Sequence, residues 1–172
     1  SQLAQLLVPQ PADWCGVQLI DDHGALQQLA VEHVDPAKVE WAWAIKRRYP
    51  PDINPPTGVP NVLRTGTPEL YVDITDEMLQ QAAVDAEHLQ MLRELGMTSV
   101  LIVPIVARGR VLGAMSLISA ESGRRYTDAE QTLVEQLAER AAIAIDNARL
   151  FTETLRARQS LGFVFQNFHL LN

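Results

Sequence analysis

The fold is decided by residues 99–117, which read SVLIVPIVARGRVLGAMSL. Two dense apolar runs, Val100–Ala107 and Val111–Ser119, surround the polar segment Arg108-Gly109-Arg110. Branched apolar residues favour strands, and glycine can take the positive φ angle of a tight turn. The pattern therefore predicts an antiparallel hairpin at the centre of a sheet, with alternating side chains buried on both faces.

Two residues within these runs have special backbone properties. Pro104 has no N–H to donate to a neighbouring strand, so we expect it at an edge or a bulge. Gly113 has no side chain and permits close approach, either of a neighbouring backbone or of a ligand. The sequence leaves both alternatives open for Gly113.

A second hairpin is predicted near the start of the chain. Two strand-like runs, Trp14–Ile20 and Leu26–His33, surround Asp21-Asp22-His23-Gly24. Acidic residues followed by glycine between apolar runs are typical of a hairpin turn. A further short strand is predicted at Glu69–Asp73, between two helical segments.

Capping patterns place the helices. Asp35 and Thr75 are predicted to cap the helices that follow them, and Gly96 ends the second of these. Thr127 and Glu130 form a capping box in front of the final helix. The predicted helical segments are the end of a helix at Gln2–Leu7, Asp35–Arg48, a short helix through Val62–Arg64, a long helix at Thr75–Leu95 and a final helix from Asp128 to about Arg158.

The order of these elements is typical of an α+β domain with a central antiparallel sheet. We expect the terminal helices on one face of the sheet. The middle helices and the proline-rich loop Pro50–Pro60 would cover the other face and form a pocket there. Residues 1–158 would make up this domain with its flanking helices, and residues 159–172 a C-terminal tail.

Composition excludes several classes of function. The net charge is −7 and the 14 basic residues are scattered, whereas nucleic-acid binding needs a basic face. A lone cysteine, Cys15, excludes an internal disulfide and fits a reducing compartment. No apolar run reaches the ~20 residues that span a bilayer, so no membrane partner is predicted. The chain begins at Ser1, and we expect a cytoplasmic fragment of a larger protein.

The hairpin at 99–117 resembles the central hairpin of GAF domains. The resemblance covers roughly Leu3–Leu155 and is nearest to the GAF modules that precede histidine kinases or sporulation-type serine/threonine phosphatases in bacteria. Further segments that carry it are ADWC at 12–15 with Asp21-Asp22, RTGTPEL at 64–70, YTDAE at 126–130 and AIDNARLF at 144–151.

The resemblance implies a GAF-like fold and a sensory or signal-relay role, with a small-molecule ligand of unknown identity and an output domain elsewhere in the full-length protein. It implies no catalytic residues. The sequence also has no Gly-x-Ser-x-Gly elbow and no Gly-x₄-Gly-Lys phosphate loop, so we expect no enzyme activity. A ligand-free structural dimerisation module is the alternative.

Cyclic-nucleotide binding is a further alternative within the resemblance. The signature Asn-Lys pair of the nucleotide-binding GAF domains falls on Ser119 and Ala120 of this sequence. The signature phenylalanine falls on Tyr126, and the acidic pair on Glu130 and Gln131. Because only one position keeps its chemistry outright, the signature argues against this ligand.

Cys15 and His88 are the single residues that could attach or ligate other cofactors. Cys15 is the only cysteine to which a bilin could attach, but a cysteine within a strand is typically buried. One cysteine cannot form the catalytic disulfide that methionine sulfoxide reduction needs. His88 is a candidate axial haem ligand. The histidines show no zinc-site spacing, so no metal site is predicted and the cofactor is unknown.

The candidate ligand-binding residues follow from position alone, on or beside the loop-rich half of the domain. Apolar walls with few polar groups would suit a small aromatic or heterocyclic ligand. The candidates are Tyr49, Thr57, Tyr71, Asp73, His88, Met91 and Ser116.

The final helix is longer than a domain of this size needs for its own core. Its apolar stripe keeps a spacing of three or four residues, which predicts a parallel homodimer through a helical seam. The tail that follows, 159–172, resembles the glutamine-loop segment of transporter ATPases but lacks their phosphate loop, and we interpret it as vector-derived or divergent. The stripe consists of Leu133, Leu137, Ala141, Ile145, Ala148 and Leu155.

Overall fold

The computed structural model describes residues 12–50, 52 and 54–169, with the backbone alone beyond Leu155. These residues form five strands and five helices. The strands are β1 (Trp14–Ile20), β2 (Leu26–His33), β3 (Glu69–Tyr71), β4 (Ser99–Ala107) and β5 (Arg110–Ser119). The helices are α1 (Pro36–Arg48), α2 (Val59–Thr65), α3 (Asp76–Ala82), α4 (Ala86–Leu95) and α5 (Asp128–His169). The helix end predicted at Gln2–Leu7 lies outside the described residues.

The strands form one sheet in the order β2-β1-β5-β4-β3, with every neighbouring pair antiparallel. The two predicted hairpins are therefore side by side, joined through β1 and β5. The α+β architecture with a central antiparallel sheet is confirmed.

Both hairpin turns form for the predicted reason. Arg108 and Gly109 connect β4 to β5 with φ angles of 51° and 73°, the two positive values of a two-residue type I′ turn. In the first turn, Gly24 has a φ angle of 80°, and Asp21 Oδ1 accepts a hydrogen bond from the N–H of Ala25 at 2.9 Å. The carboxylate thus replaces backbone partners that the turn leaves open.

Pro104 lies at a local edge, as predicted. Strand β3 pairs only with Val100–Ile102 of β4, so β4 has no neighbour on that side at Pro104. The register with β5 then shifts between Ile105 and Val106. Pro104 therefore lies beyond the β3–β4 hydrogen bonds, which end at Ile102.

One face of the sheet packs against α5. Leu101, Met115 and Leu117 are fully buried there, and each such side chain contributes roughly 1.5–3 kcal/mol relative to exposure. Helix α5 places Val134 and Ala138 against them. The small alanine lets the helix approach the strands closely.

The opposite face is covered by α1 and α2. Ala42 of α1 packs with Trp14 and Val31, and Val62 of α2 packs with Ile102 and the middle of the sheet. Helices α3 and α4 contain no fully buried side chain. The prediction of helices on both faces is confirmed, but α1 and α2 supply the closest packing on this one.

The long helix predicted at Thr75–Leu95 is wrong, because the structure has two helices there. Ala83 leaves the helical conformation, with φ −76° and ψ 138°. Asp85 then caps α4 by accepting a hydrogen bond from the N–H of His88 at 2.7 Å. An aspartate side chain that competes for backbone N–H groups favours a new helix start over continuation.

The last helix differs from the prediction in its end. It continues to His169 rather than ending near Arg158. The fully buried side chains of α5 are Val134, Ala138 and Ala142, which are spaced four residues apart. This buried row begins one residue after Leu133, and Leu133 itself is exposed. None of the helices formed by described residues combines the length and the hydropathy needed to cross a bilayer.

Candidate functional site

Two of the candidate residues, Tyr49 and His88, meet between the end of α1 and the start of α4. Their rings stack with centroids 4.3 Å apart and 12° between the planes. The Tyr49 hydroxyl donates to Asp85 Oδ1 at 3.0 Å, and the N–H of Val84 donates to His88 Nδ1 at 3.2 Å. Burial lowers the pKa of His88, and the bond from Val84 requires Nδ1 to be an unprotonated nitrogen.

A second pair, Thr57 and Tyr71, lies at the edge strand β3. The Tyr71 hydroxyl donates to Glu69 Oε2 and accepts from the N–H of Gly58 at 3.2 Å, and it also hydrogen-bonds the Thr57 side chain. Glu69 Oε1 accepts from Asn61 Nδ2 at 2.7 Å. Burial and the Glu69 carboxylate raise the pKa of Tyr71. These bonds fasten the proline-rich loop to the sheet.

The other three candidates lie apart from these pairs. Asp73 is exposed and accepts a hydrogen bond from Arg125, and Met91 is half-buried on α4. Ser116 is half-buried on β5, opposite Gly16 of β1. Five cavities of 220 to 330 Å³ open between described residues, and none of these five is lined by any of the seven candidates. The structure thus gathers the candidates only as two pairs.

A polar cluster absent from the sequence analysis lies on the sheet face beneath α1. This glutamine–lysine cluster consists of Gln18 on β1, Gln28 on β2 and Lys46 on α1. Gln28 Oε1 accepts from Gln18 Nε2 at 2.9 Å and from Lys46 Nζ at 2.6 Å. Gln28 Nε2 donates to the carbonyl oxygens of Val17 at 3.0 Å and Ala30 at 2.5 Å. The side-chain amide of Gln28 therefore makes all four of its possible hydrogen bonds, two as acceptor and two as donor.

The electrostatics of the cluster are unbalanced. Burial lowers the pKa of Lys46 to about 8. Among the described residues, no carboxylate lies within 4 Å of its ammonium group. Gln18 is only 8% exposed, and its Oε1 has no hydrogen-bond partner. Because buried polar atoms normally have partners, the cluster can accept one more group.

The sequence held a signal for this cluster. Lys46 follows buried Ala42 by four residues, which places both on the inward face of α1. Gln18 and Gln28 are polar residues within otherwise apolar strands. Their pairing depends on a register shift between Val17 and Gln18, which the sequence pattern does not reveal.

Cys15 faces the opposite side of the sheet, in the core beneath α5. It is fully buried, and burial raises the pKa of its thiol to about 12. The interpretation of Cys15 as a small buried strand residue is confirmed. Ser119 and Tyr126, two positions of the nucleotide signature, are also buried. Within the described part of the chain, no group of three acidic, histidine or cysteine side chains is placed to hold a metal ion.

The second half of α5 is held by both hairpin turns. Arg149 Nη2 donates to Asp22 Oδ1 of the first turn at 2.6 Å and to the carbonyl oxygen of Ile20 at 3.3 Å. Arg108 of the second turn pairs with Asp146 Oδ2 at 2.8 Å. The first half of α5 therefore packs on the sheet. Asp146 and Arg149, which come later in the helix, contact the two hairpin turns.

The family model for the GAF domain matches residues 6–145. The chain belongs to the GAF domain family.

Solved GAF domains share the fold at low sequence identity. The GAF-B domain of DevS from Mycobacterium smegmatis is 16% identical, with a TM-score of 0.63, over 89% of this chain and 94% of that one. The GAF domain of a phosphoenolpyruvate-protein phosphotransferase from Coxiella burnetii is 21% identical, with a TM-score of 0.61, over 88% of this chain and 82% of that one. A domain of a putative two-component sensor histidine kinase from Sinorhizobium meliloti is 15% identical, with a TM-score of 0.57, over 86% of this chain and 88% of that one.

Proposed function

We propose that this GAF domain is a non-enzymatic sensory or relay module of a bacterial signalling protein, and that it binds a small molecule on the sheet face beneath α1 and α2. In the full-length protein it would control an output domain in the cytoplasm. The observation that carries the proposal is the glutamine–lysine cluster. Packing alone would favour apolar side chains at Gln18 and Lys46, because burying polar groups without full pairing costs free energy.

The sequence-derived candidates surround this face in the proposal. Ser116 lies on β5, where its register partner on β1 is Gly16, two residues before Gln18. Tyr49 follows α1 directly, three residues after Lys46. We propose that Tyr49 and Ser116 line the site, and His88, Met91, Thr57, Tyr71 and Asp73 stay candidates for further ligand contacts.

Native mass spectrometry tests ligand binding. The mass of the protein after purification under non-denaturing conditions is compared with its mass after denaturation. A metabolite library is then screened by thermal unfolding. We expect a bound or stabilising compound whose effect is lost in Ser116→Val, where two methyl groups take the place of the hydroxyl on the proposed face.

The control is Thr132→Val, which replaces a hydroxyl by a methyl group at an exposed position of α5. The compound should stabilise this variant as much as it stabilises the parent protein. If the native mass equals the sequence mass and no library compound raises the Tm, the ligand-binding proposal is wrong and the ligand-free dimerisation module takes its place.

A specific observation supports dimerisation through α5, which is compatible with ligand binding. Ile143 and Phe151 are 62% and 66% exposed, and Leu150 and Leu155 are also exposed. Large apolar side chains on one helix end, outside the core of the domain, are typical of a protein–protein contact. We propose a homodimer in which the α5 helices of two copies pack together.

A further inference from the structure

We infer that Lys46 and Gln18 form the receptor for a small organic acid that also carries a hydrogen-bond donor, such as a hydroxy acid or an amino acid. The inference rests on the proposed function, since it names the class of ligand for the same sheet face. In this arrangement the carboxylate of the ligand pairs with Lys46, and its hydroxyl or amino group donates to Gln18 Oε1.

The first argument is the missing counter-anion of Lys46. The chain has only two lysines, Lys38 and Lys46, and both lie on α1. Lys38 pairs with Glu121. Lys46 is half-buried, and it contacts only the neutral oxygen of Gln28. A half-buried cation without a counter-anion is destabilising, and a carboxylate beside it would reduce that cost.

The second argument is the fixed orientation of the two amides. Gln28 Nε2 donates to two backbone carbonyls, so its Oε1 must be the atom that faces Gln18 and Lys46. Gln18 must therefore present Nε2 to Gln28, and its Oε1 points elsewhere without a partner. The amide of Gln18 cannot be reversed without placing two acceptors against each other.

The counter-anion that Lys46 lacks and the hydrogen-bond donor that Gln18 Oε1 lacks together define the ligand class. A water molecule can donate to Gln18 but brings no charge for Lys46. A simple carboxylate brings charge but no donor. A hydroxy or amino acid supplies both within one small molecule, and a charge-assisted hydrogen bond to Lys46 is the stronger of the two contacts. Lys46 keeps partial exposure in the last turn of α1, where Arg47 and Arg48 are exposed, so this end of the helix faces solvent.

Lysine-selective NMR tests the inference. Protein labelled with ¹³C at the lysine Cε atoms gives two resonances, and Lys38 serves as the internal reference. The probes are acetate and lactate, each exchanged for chloride, and the neutral lactamide, added at constant chloride. We expect both anions to raise the pKa of Lys46 from about 8 toward the ordinary lysine value of about 10.4, because an adjacent anion stabilises the ammonium form.

Lactate should bind more tightly than acetate, by about fivefold, through the added hydrogen bond to Gln18. Gln18→Leu should reduce the affinity for lactate to that for acetate. Lys46→Gln should weaken lactate binding about tenfold or more, whereas Lys38→Gln should leave it unchanged. Lactamide should move neither resonance.

The inference is overturned if neither anion shifts the Lys46 resonance, or if the shift is equal for lactamide and lactate. These outcomes differ from failure of the proposed function. A neutral metabolite could bind the native protein and Lys46→Gln with equal affinity. That result would support the sensory role and would contradict the proposal of an organic-acid site.

Discussion

A Cβ atom added at Gly113 of β5 would lie 2.1 Å from the carbonyl oxygen of Gln18 on β1. The close approach that Gly113 permits is therefore that of a neighbouring backbone. Gly113→Ala would force β1 and β5 apart, and we expect a loss of about 1–3 kcal/mol in the free energy of unfolding, measured by urea denaturation.

The control for this change is Gly16→Ala. A Cβ atom at Gly16 would meet only Gln28 Nε2, at an ordinary 3.6 Å. We expect its urea midpoint to stay near that of the parent protein. Equal losses in the two variants would contradict the explanation by close strand contact.

Asp13 fastens the segment before β1 to the segment after β5. Its Oδ2 accepts from the N–H groups of Ala120 at 2.7 Å and Ser122 at 3.0 Å and from the Ser122 hydroxyl at 2.7 Å. Burial raises the pKa of Asp13, but these bonds outweigh it, so the pKa is lowered from 3.8. Asp13→Ala leaves the donors unpaired and should cost about 1–3 kcal/mol in urea unfolding.

The sign of the pH dependence follows from that lowered pKa. The contribution of Asp13 is present above pH 3.8 and is lost as the pH falls through the lower folded-state value. The comparison variant is Asp73→Ala, which breaks an exposed ion pair with Arg125 and should cost under about 1 kcal/mol. A larger loss for Asp73→Ala than for Asp13→Ala would contradict this assignment.

His88 should make the domain less stable at mildly acid pH. Burial lowers its pKa from 6.5, so the unfolded chain binds the proton more readily than the native one. The free energy of unfolding should therefore fall as the pH drops through 6.5. His88→Gln should reduce this fall, and urea midpoints at neutral and mildly acid pH measure it.

His33 contributes in the same direction, because burial also lowers its pKa, so some pH dependence should remain in His88→Gln. His23→Gln is the control, since His23 lies in the exposed first turn. A parent protein with the same stability at both pH values would show that the imidazole of His88 is not kept neutral.

Substitutions on α5 test the dimer. Light scattering should give about twice 19.1 kDa for the parent protein. Phe151→Asp and Ile143→Asp should give a folded monomer, because both side chains are exposed within one chain. Ile145→Asp should instead unfold the protein, since Ile145 packs against the core. Thr152→Asp, an exposed polar position, serves as control. A parent monomer at high concentration would end the dimer proposal.

Local patterns were sufficient for most of the fold. The bounds of β1 and β2 agree with the prediction, since a run of apolar residues ended by an Asp-rich turn has few alternatives. The capping box before α5 forms as predicted, with Thr127 N–H donating to Glu130 at 2.9 Å. These features depend on contacts within a few residues, which the sequence displays directly.

Features that depend on distant partners were predicted less well. The break at Asp85 is stabilised by Tyr49, 36 residues away. The face of α5 that packs on the sheet begins at Val134, one position after the stripe predicted for the dimer, because contact with the sheet selects which side of the helix is buried. The glutamine–lysine cluster needs the β1–β2 register as well as the docking of α1, so no single segment reveals it.

The ion pairs that hold α5 at the hairpin turns also limit how the helix can twist. Asp146 and Arg149 are about 60° apart around the helix axis; Asp146 pairs with the cation of Arg108, and Arg149 pairs with the anion of Asp22. Advancing the helix by three residues would set Arg149 against Arg108, where like charges repel. The two pairs therefore favour the observed helix position over one shifted by three residues, and the helix continues for roughly 30 Å beyond Arg149.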